Sequence, residues 1–110
     1  MIPITAPTLT EFDFAKLEFS PMDHEMYWFD TGDQGEQAVY KLPNGYLVSI
    51  VRHRYSYGGD RGQYEIMVFT DLHTEGVAVP GITNSDGIIG NLEPRDVGLQ
   101  LARLAGAKRD

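Results

Sequence analysis

The pentapeptide Leu42-Pro43-Asn44-Gly45-Tyr46 constrains this chain more than any other stretch. Proline presets φ near about −65° at the first turn position, and Asn44 and Gly45 tolerate the positions that follow, up to a left-handed glycine. The expected product is an antiparallel hairpin, with one strand from Gln37 to Leu42 and the next over 46–52. Side chains alternate across a strand, so Tyr40 and Leu42 share a face with Tyr46, Val48, Ile50 and Arg52. The other face of the second strand carries Leu47, Ser49, Val51 and His53. Apolar residues on both faces mark 46–52 as a central strand.

That central strand belongs to a second hairpin whose connection spans 54–62. Beyond it, Tyr64, Ile66 and Val68 join the first face, and Glu65, Met67 and Phe69 join the second. The first face is the cleaner one, so it is assigned to the core, with Tyr40, Val48, Ile50, Ile66 and Val68 as its centre.

The last element reads as a helix. Pro94 suits its first position, and Leu92 and Val97 flank the start as a hydrophobic staple. Val97, Leu101, Leu104 and Ala105 make one apolar stripe, and Gly106 is a suitable stop. Glu93 is a poor N-cap, and Gly98 costs about 1 kcal/mol relative to alanine, so this helix needs a sheet beneath it.

The remaining chain is less periodic. Residues 1–8 read as an extended arm, and 9–19 fit either a helix or a strand, with Phe12, Phe14, Leu17 and Phe19 as core contributors. Glu25 to Phe29 is strand-like, and Asp30 to Glu36 is a polar turn. A short strand is expected at Val77 to Val79, a loop over 82–91 and a frayed tail over 107–110. The expected fold is α+β: an antiparallel sheet of four to five strands with one C-terminal helix packed on one face. At 110 residues this is one domain.

Composition narrows the chemistry. The chain has no cysteine, which excludes a disulfide framework, a thiolate zinc site and an iron–sulfur cluster. Neither a signal peptide nor a membrane-length apolar run is recognisable, so a cytoplasmic protein without cofactor is expected. The formal net charge is −7, and residues 1–40 hold eight acids against one base, Lys16. The rest of the chain is balanced, with eight of each. Such a field opposes phosphate backbones and suits either a basic protein partner or a merely solvated acidic face.

Two sets of residues are candidate binding sites. One is the acidic face of Asp23, Glu25, Asp30, Asp33 and Glu36. The other is the loop set Arg52, His53, Arg54, Tyr55, Tyr57 and Arg61, whose guanidiniums and rings suit a nucleotide, an RNA base or an acidic peptide, or else pair with Glu65, Asp60 or the acidic first third of the chain. The intervening Gly58-Gly59 invites a phosphate-cradle reading, but phosphate loops open a helix and this one leads into a strand. A mobile hairpin tip is expected there. His24, His53 and His73 lack the spacing of one metal site, and Asp30, Asp33 and Glu36 do not match the calcium-loop pattern, so no metal is expected. No nucleophile–base pair is recognisable, and no catalytic residue is assigned.

Two resemblances extend this reading. Asp30-Thr31-Gly32, with Tyr57-Gly58-Gly59 as a flap and Ile88-Ile89-Gly90, resembles retroviral-type aspartic proteases. That resemblance implies a dimer in which Asp30 is half of a carboxylate dyad. The polar Asp33-Gln34-Gly35-Glu36 and the helical C-terminus depart from the family. Over about residues 40–105, the order Leu42 to Tyr46, Ser56-Tyr57-Gly58-Gly59, Ile82 to Asp86, Ile89 to Leu92 and Pro94 resembles small uncharacterised bacteriophage-encoded proteins. These motifs are turns, a loop and a cap, so they imply a shared fold and no activity.

The function expected is non-enzymatic binding: a phage or mobile-element accessory factor that binds and inhibits a host protein. The acidic face and the arginine–tyrosine loop would make the contacts, without direct nucleic-acid or membrane binding. A small-ligand or nucleotide module built on the loop is the alternative, and the protease-like dimer is the third.

Overall fold

The computed structural model describes residues 6–21, 35–53, 56, 58–70 and 75–107. Five strands form one antiparallel sheet in sequence order: β1 (Ser20–Pro21), β2 (Glu36–Lys41), β3 (Leu47–Arg52), β4 (Tyr64–Phe69) and β5 (Ile88–Leu92). One helix, α1 (Pro94–Ala105), follows and packs on one face. Among the described residues no helix is long and apolar enough to cross a membrane.

The Pro43-Asn44-Gly45 hairpin forms as its residues dictate. Gly45 is left-handed at φ 96°, and Leu42 closes the turn by donating to the Tyr46 carbonyl at 2.7 Å. Register follows from that turn: Tyr40 lies opposite Val48 and Ala38 opposite Ile50. On the other side Val48 meets Val68 and Ile50 meets Ile66. The first face is therefore the core face, where Val48, Ile50, Ile66 and Val68 are fully buried with Val97, Leu101 and Leu104 of α1.

Helix α1 is held by its surroundings more than by its own sequence. Glu93 makes no side-chain cap bond. Burying Val97, Leu101 and Leu104 contributes about 2 kcal/mol each, which outweighs the glycine penalty of about 1 kcal/mol. Gly106 does not take the left-handed conformation of a helix-stopping glycine; its φ is −84°. The amides of Gly106 and Ala107 still bond the carbonyls of Ala102 and Leu104 at 3.1 Å each, and Asn44 adds to this cap. Its Nδ2 donates to the carbonyls of Leu104 at 2.8 Å and Ala107 at 2.9 Å, while Oδ1 accepts from the Tyr46 amide at 3.3 Å.

Residues 6–21 brace this layer. Lys41 donates to the Pro7 carbonyl and accepts from the Leu9 amide, so the arm forms a parallel bridge on the edge of β2. The ambiguous stretch 9–19 is neither helix nor strand but a 3-10 turn at Phe14–Lys16, capped by Asp13 through the Ala15 amide at 3.1 Å. Leu9 and Leu17 are buried, and Phe12, Phe14 and Phe19 pack partly buried against the core.

Two expectations are corrected. Ile88–Leu92 is a strand within the stretch expected as a loop, paired with β4 across a register shift. Between Tyr64 and Ile66, β5 runs from Leu92 to Ile89, one residue more than its partner, and Asn91 takes up the bulge at φ 58°. Conversely, Val77–Val79 is no strand: Val77 makes one bond to the Val68 carbonyl at 2.7 Å before the chain turns away. The strand expected at 25–29 lies outside the described residues, as do the last three residues of the tail.

Two substitutions test this account by urea denaturation. A Cβ at Gly98 would stand 2.6 Å from the Phe12 carbonyl oxygen, so Gly98→Ala should lower the midpoint although alanine is the better helix former. A raised midpoint would disprove the close approach. Asn44→Ala should cost about 2 kcal/mol through its lost hydrogen bonds; an unchanged unfolding free energy would refute the cap.

Candidate functional site

Of the loop residues singled out from sequence, Arg52, His53 and Arg61 are among the described residues; Arg54, Tyr55 and Tyr57 are not. Of the acidic face, Glu36 is described, while Asp23, Glu25, Asp30 and Asp33 lie outside. Asp30-Thr31-Gly32 of the protease-like triplet lies outside as well. Its companion Ile88-Ile89-Gly90 opens β5, just before α1.

The glycine loop is built rather than bare. The Ser56 hydroxyl accepts from the His53 amide and donates to the His53 carbonyl, both at 2.9 Å. Gly58, left-handed at φ 78°, receives the amides of Arg61 and Gln63 on its carbonyl at 2.9 Å each. Gly59 is buried so tightly that a Cβ would lie 1.7 Å from the His53 carbonyl oxygen. Residues 59–61 form a 3-10 turn, so this part of the connection is a folded turn.

Two of the selected arginines are committed to partners. Arg61 is exposed, and its Nη2 donates to Asn91 Oδ1 at 3.1 Å, with Gln63 Oε1 at 3.5 Å. Gln63 Nε2 in turn donates to Glu93 Oε1 at 2.9 Å, which ties the loop to the start of α1. Arg52 Nε lies 3.3 Å from Glu36 Oε1, an ion pair with both side chains about 30% exposed. The structure thus joins one member of each candidate site to the other, on adjacent strands β2 and β3.

Tyr64 completes that pair. Its hydroxyl donates to the same Glu36 oxygen at 2.5 Å, and its ring sits 5.0 Å from Phe14 and 5.4 Å from Phe19, centroid to centroid. Burial and the Glu36 carboxylate push the Tyr64 phenol up to about 12, with Arg52 pulling the other way. The His53 imidazole is held below its ordinary value by burial, opposed by the Glu65 carboxylate. Tyr64 and Glu36 could have been paired from sequence by counting both hairpins outward from their turns: Glu36 falls opposite Arg52, and Tyr64 starts the next strand on the same face.

The arrangement is a neutralised cluster of acid, base and phenol that closes one end of the core. Among the described residues no group of three histidines, acids or cysteines is placed to hold a metal ion. What remains chemically available is surface charge: Glu11, Asp13 and Glu18 are exposed, with Lys16 paired to Glu11 at 3.8 Å. No protein-family model, curated protein or solved structure matches the chain.

The Tyr64 environment has an alkaline signature. Its folded value lies above the ordinary value of 10.0, so the native state holds the proton more tightly than the unfolded chain does. The resulting stabilisation is complete below pH about 10 and lost as pH rises to about 12. Tyrosinate absorbance should show one tyrosine titrating late, and Glu36→Gln should bring it only partway back, because burial remains. A complete return to the ordinary value would refute burial as the main cause.

Proposed function

We propose that this protein is a non-enzymatic binding protein, a phage or mobile-element accessory factor that engages and inhibits a host protein with a basic surface. The observation that carries the reading is the placement of the negative charge. The first third of the chain holds all the net charge, and its described acids Glu11, Asp13 and Glu18 stand in solvent around one base. An unbalanced, exposed acidic surface steers association with a cationic partner and repels nucleic acid. The other acids of the first third, Asp23, Glu25, Asp30 and Asp33, extend that surface in this reading. Glu36 is spent internally on Arg52 and Tyr64 and serves the fold. The arginine–tyrosine loop contributes through Arg54, Tyr55 and Tyr57, since Arg52 and Arg61 are engaged within the molecule.

The test is capture from bacterial lysate at low and high salt, identification of the captured protein, and a binding isotherm with that protein purified. Capture should fade with salt. Replacing Asp23, Asp30 and Asp33 with Asn and Glu25 with Gln should weaken the purified interaction about tenfold, at a few tenths of a kcal/mol per rim charge. Affinity unmoved by those four changes would sink the acidic-surface reading.

A further inference from the structure

The outer edge of β2 is covered in two pieces with an opening between them. The Leu42–Tyr46 bond sets which pairs across β2 and β3 exchange hydrogen bonds, so Tyr40, Ala38 and Glu36 bond inward to β3. Lys41, Val39 and Gln37 therefore turn their amides and carbonyls outward. Those of Lys41 are taken by Pro7 and Leu9, at 2.9 and 2.8 Å. Gln37 lies against Ser20 of β1. A continued β1 would bring Glu18 opposite Val39, but the Glu18 amide donates to the Tyr40 hydroxyl at 2.7 Å and the chain leaves the edge. Among the described residues nothing bonds the outward N–H and C=O of Val39.

Val39 lines a cleft of about 350 Å³ together with Pro7, Glu18, Ser20, Gln37 and Tyr40. Glu18 is exposed on its rim, and among the described residues no base pairs with it, Lys16 being paired with Glu11. The covered positions on either side are about 13 Å apart along the strand, which leaves room for one ladder position.

We propose that this cleft binds a single extended residue with a basic side chain, such as a lysine at a peptide terminus or loop tip. Its own N–H and C=O exchange two hydrogen bonds with Val39, and its charge lies toward Glu18. A longer strand does not fit, because the arm and β1 close the neighbouring positions. The site needs no host partner and goes beyond the accessory-factor reading.

The experiment titrates the isotope-labelled full chain with N-acetyl-lysine-N-methylamide and follows backbone amide shifts. A probe of about 14 non-hydrogen atoms should bind with a Kd of about 1 mM, with a saturable shift at Val39. The glutamate analogue should bind about threefold more weakly, and Glu18→Gln should erase that difference. Val39→Pro removes the outward donor and leaves the bonds to β3 intact, because proline is tolerated where an edge N–H faces outward; it should abolish binding. No saturable shift at Val39, or full binding by Val39→Pro, overturns the proposal. Should that variant fail to fold, the charge preference decides: its survival in Glu18→Gln overturns the site as drawn.

Discussion

One side chain connects the turn that organises the sheet to the helix that covers it. Asn44 sits in the hairpin turn, yet its amide reaches Leu104 and Ala107, about sixty positions further along. A helix leaves its last carbonyls unpaired, and burying them without partners is costly. Gly106 stays right-handed, and the amides of Gly106 and Ala107 bond the carbonyls of Ala102 and Leu104; the amide of Asn44 adds a second bond to Leu104 and takes Ala107 from another part of the chain. The position of α1 on the core face is thereby coupled to the geometry of β2 and β3. The arm bridging Lys41 and the 3-10 turn packed at Gly98 then close on a layer already held in register.

Much of this architecture was legible because strong local signals agreed with the hydrophobic pattern. The Pro43-Asn44-Gly45 turn, the alternation through 46–52 and 64–69, and the Val97-Leu101-Leu104 stripe each point to the element observed. β5 was hidden for a local reason. Gly90 and Asn91 are poor strand residues, and they are there because the strand carries a bulge with a left-handed asparagine. The turn Asn84 to Gly87, closed by Asn84 Oδ1 on the amides of Asp86 and Ile88, was the readable warning. Asn44 and Gly98 were read through local preferences, whereas their roles come from contacts distant in sequence, which propensity does not encode.

The candidate site was legible first as composition, and its pairing only by counting register from the turns. Counting charges separates an acidic first third from a basic loop, but it does not reveal that Glu36 and Arg52 neutralise each other across one ladder position. Their shared hydrogen bond with Tyr64 turns charge into packing: the phenol lies among Phe14 and Phe19 with its hydroxyl satisfied. Such a cluster defines orientation at the end of the core, because the ion pair alone, being part-exposed, contributes little.

The order of elements along the chain also bears on synthesis. The core face of β2, β3 and β4 is complete before α1 leaves the ribosome, and Val48, Ile50, Ile66 and Val68 have no cover from that helix until then. A nascent chain of this kind exposes an apolar face beside unpaired strand edges, the combination that favours association between incomplete chains. Cover for that face comes only with the twelve residues of α1, whose end Asn44 then grips.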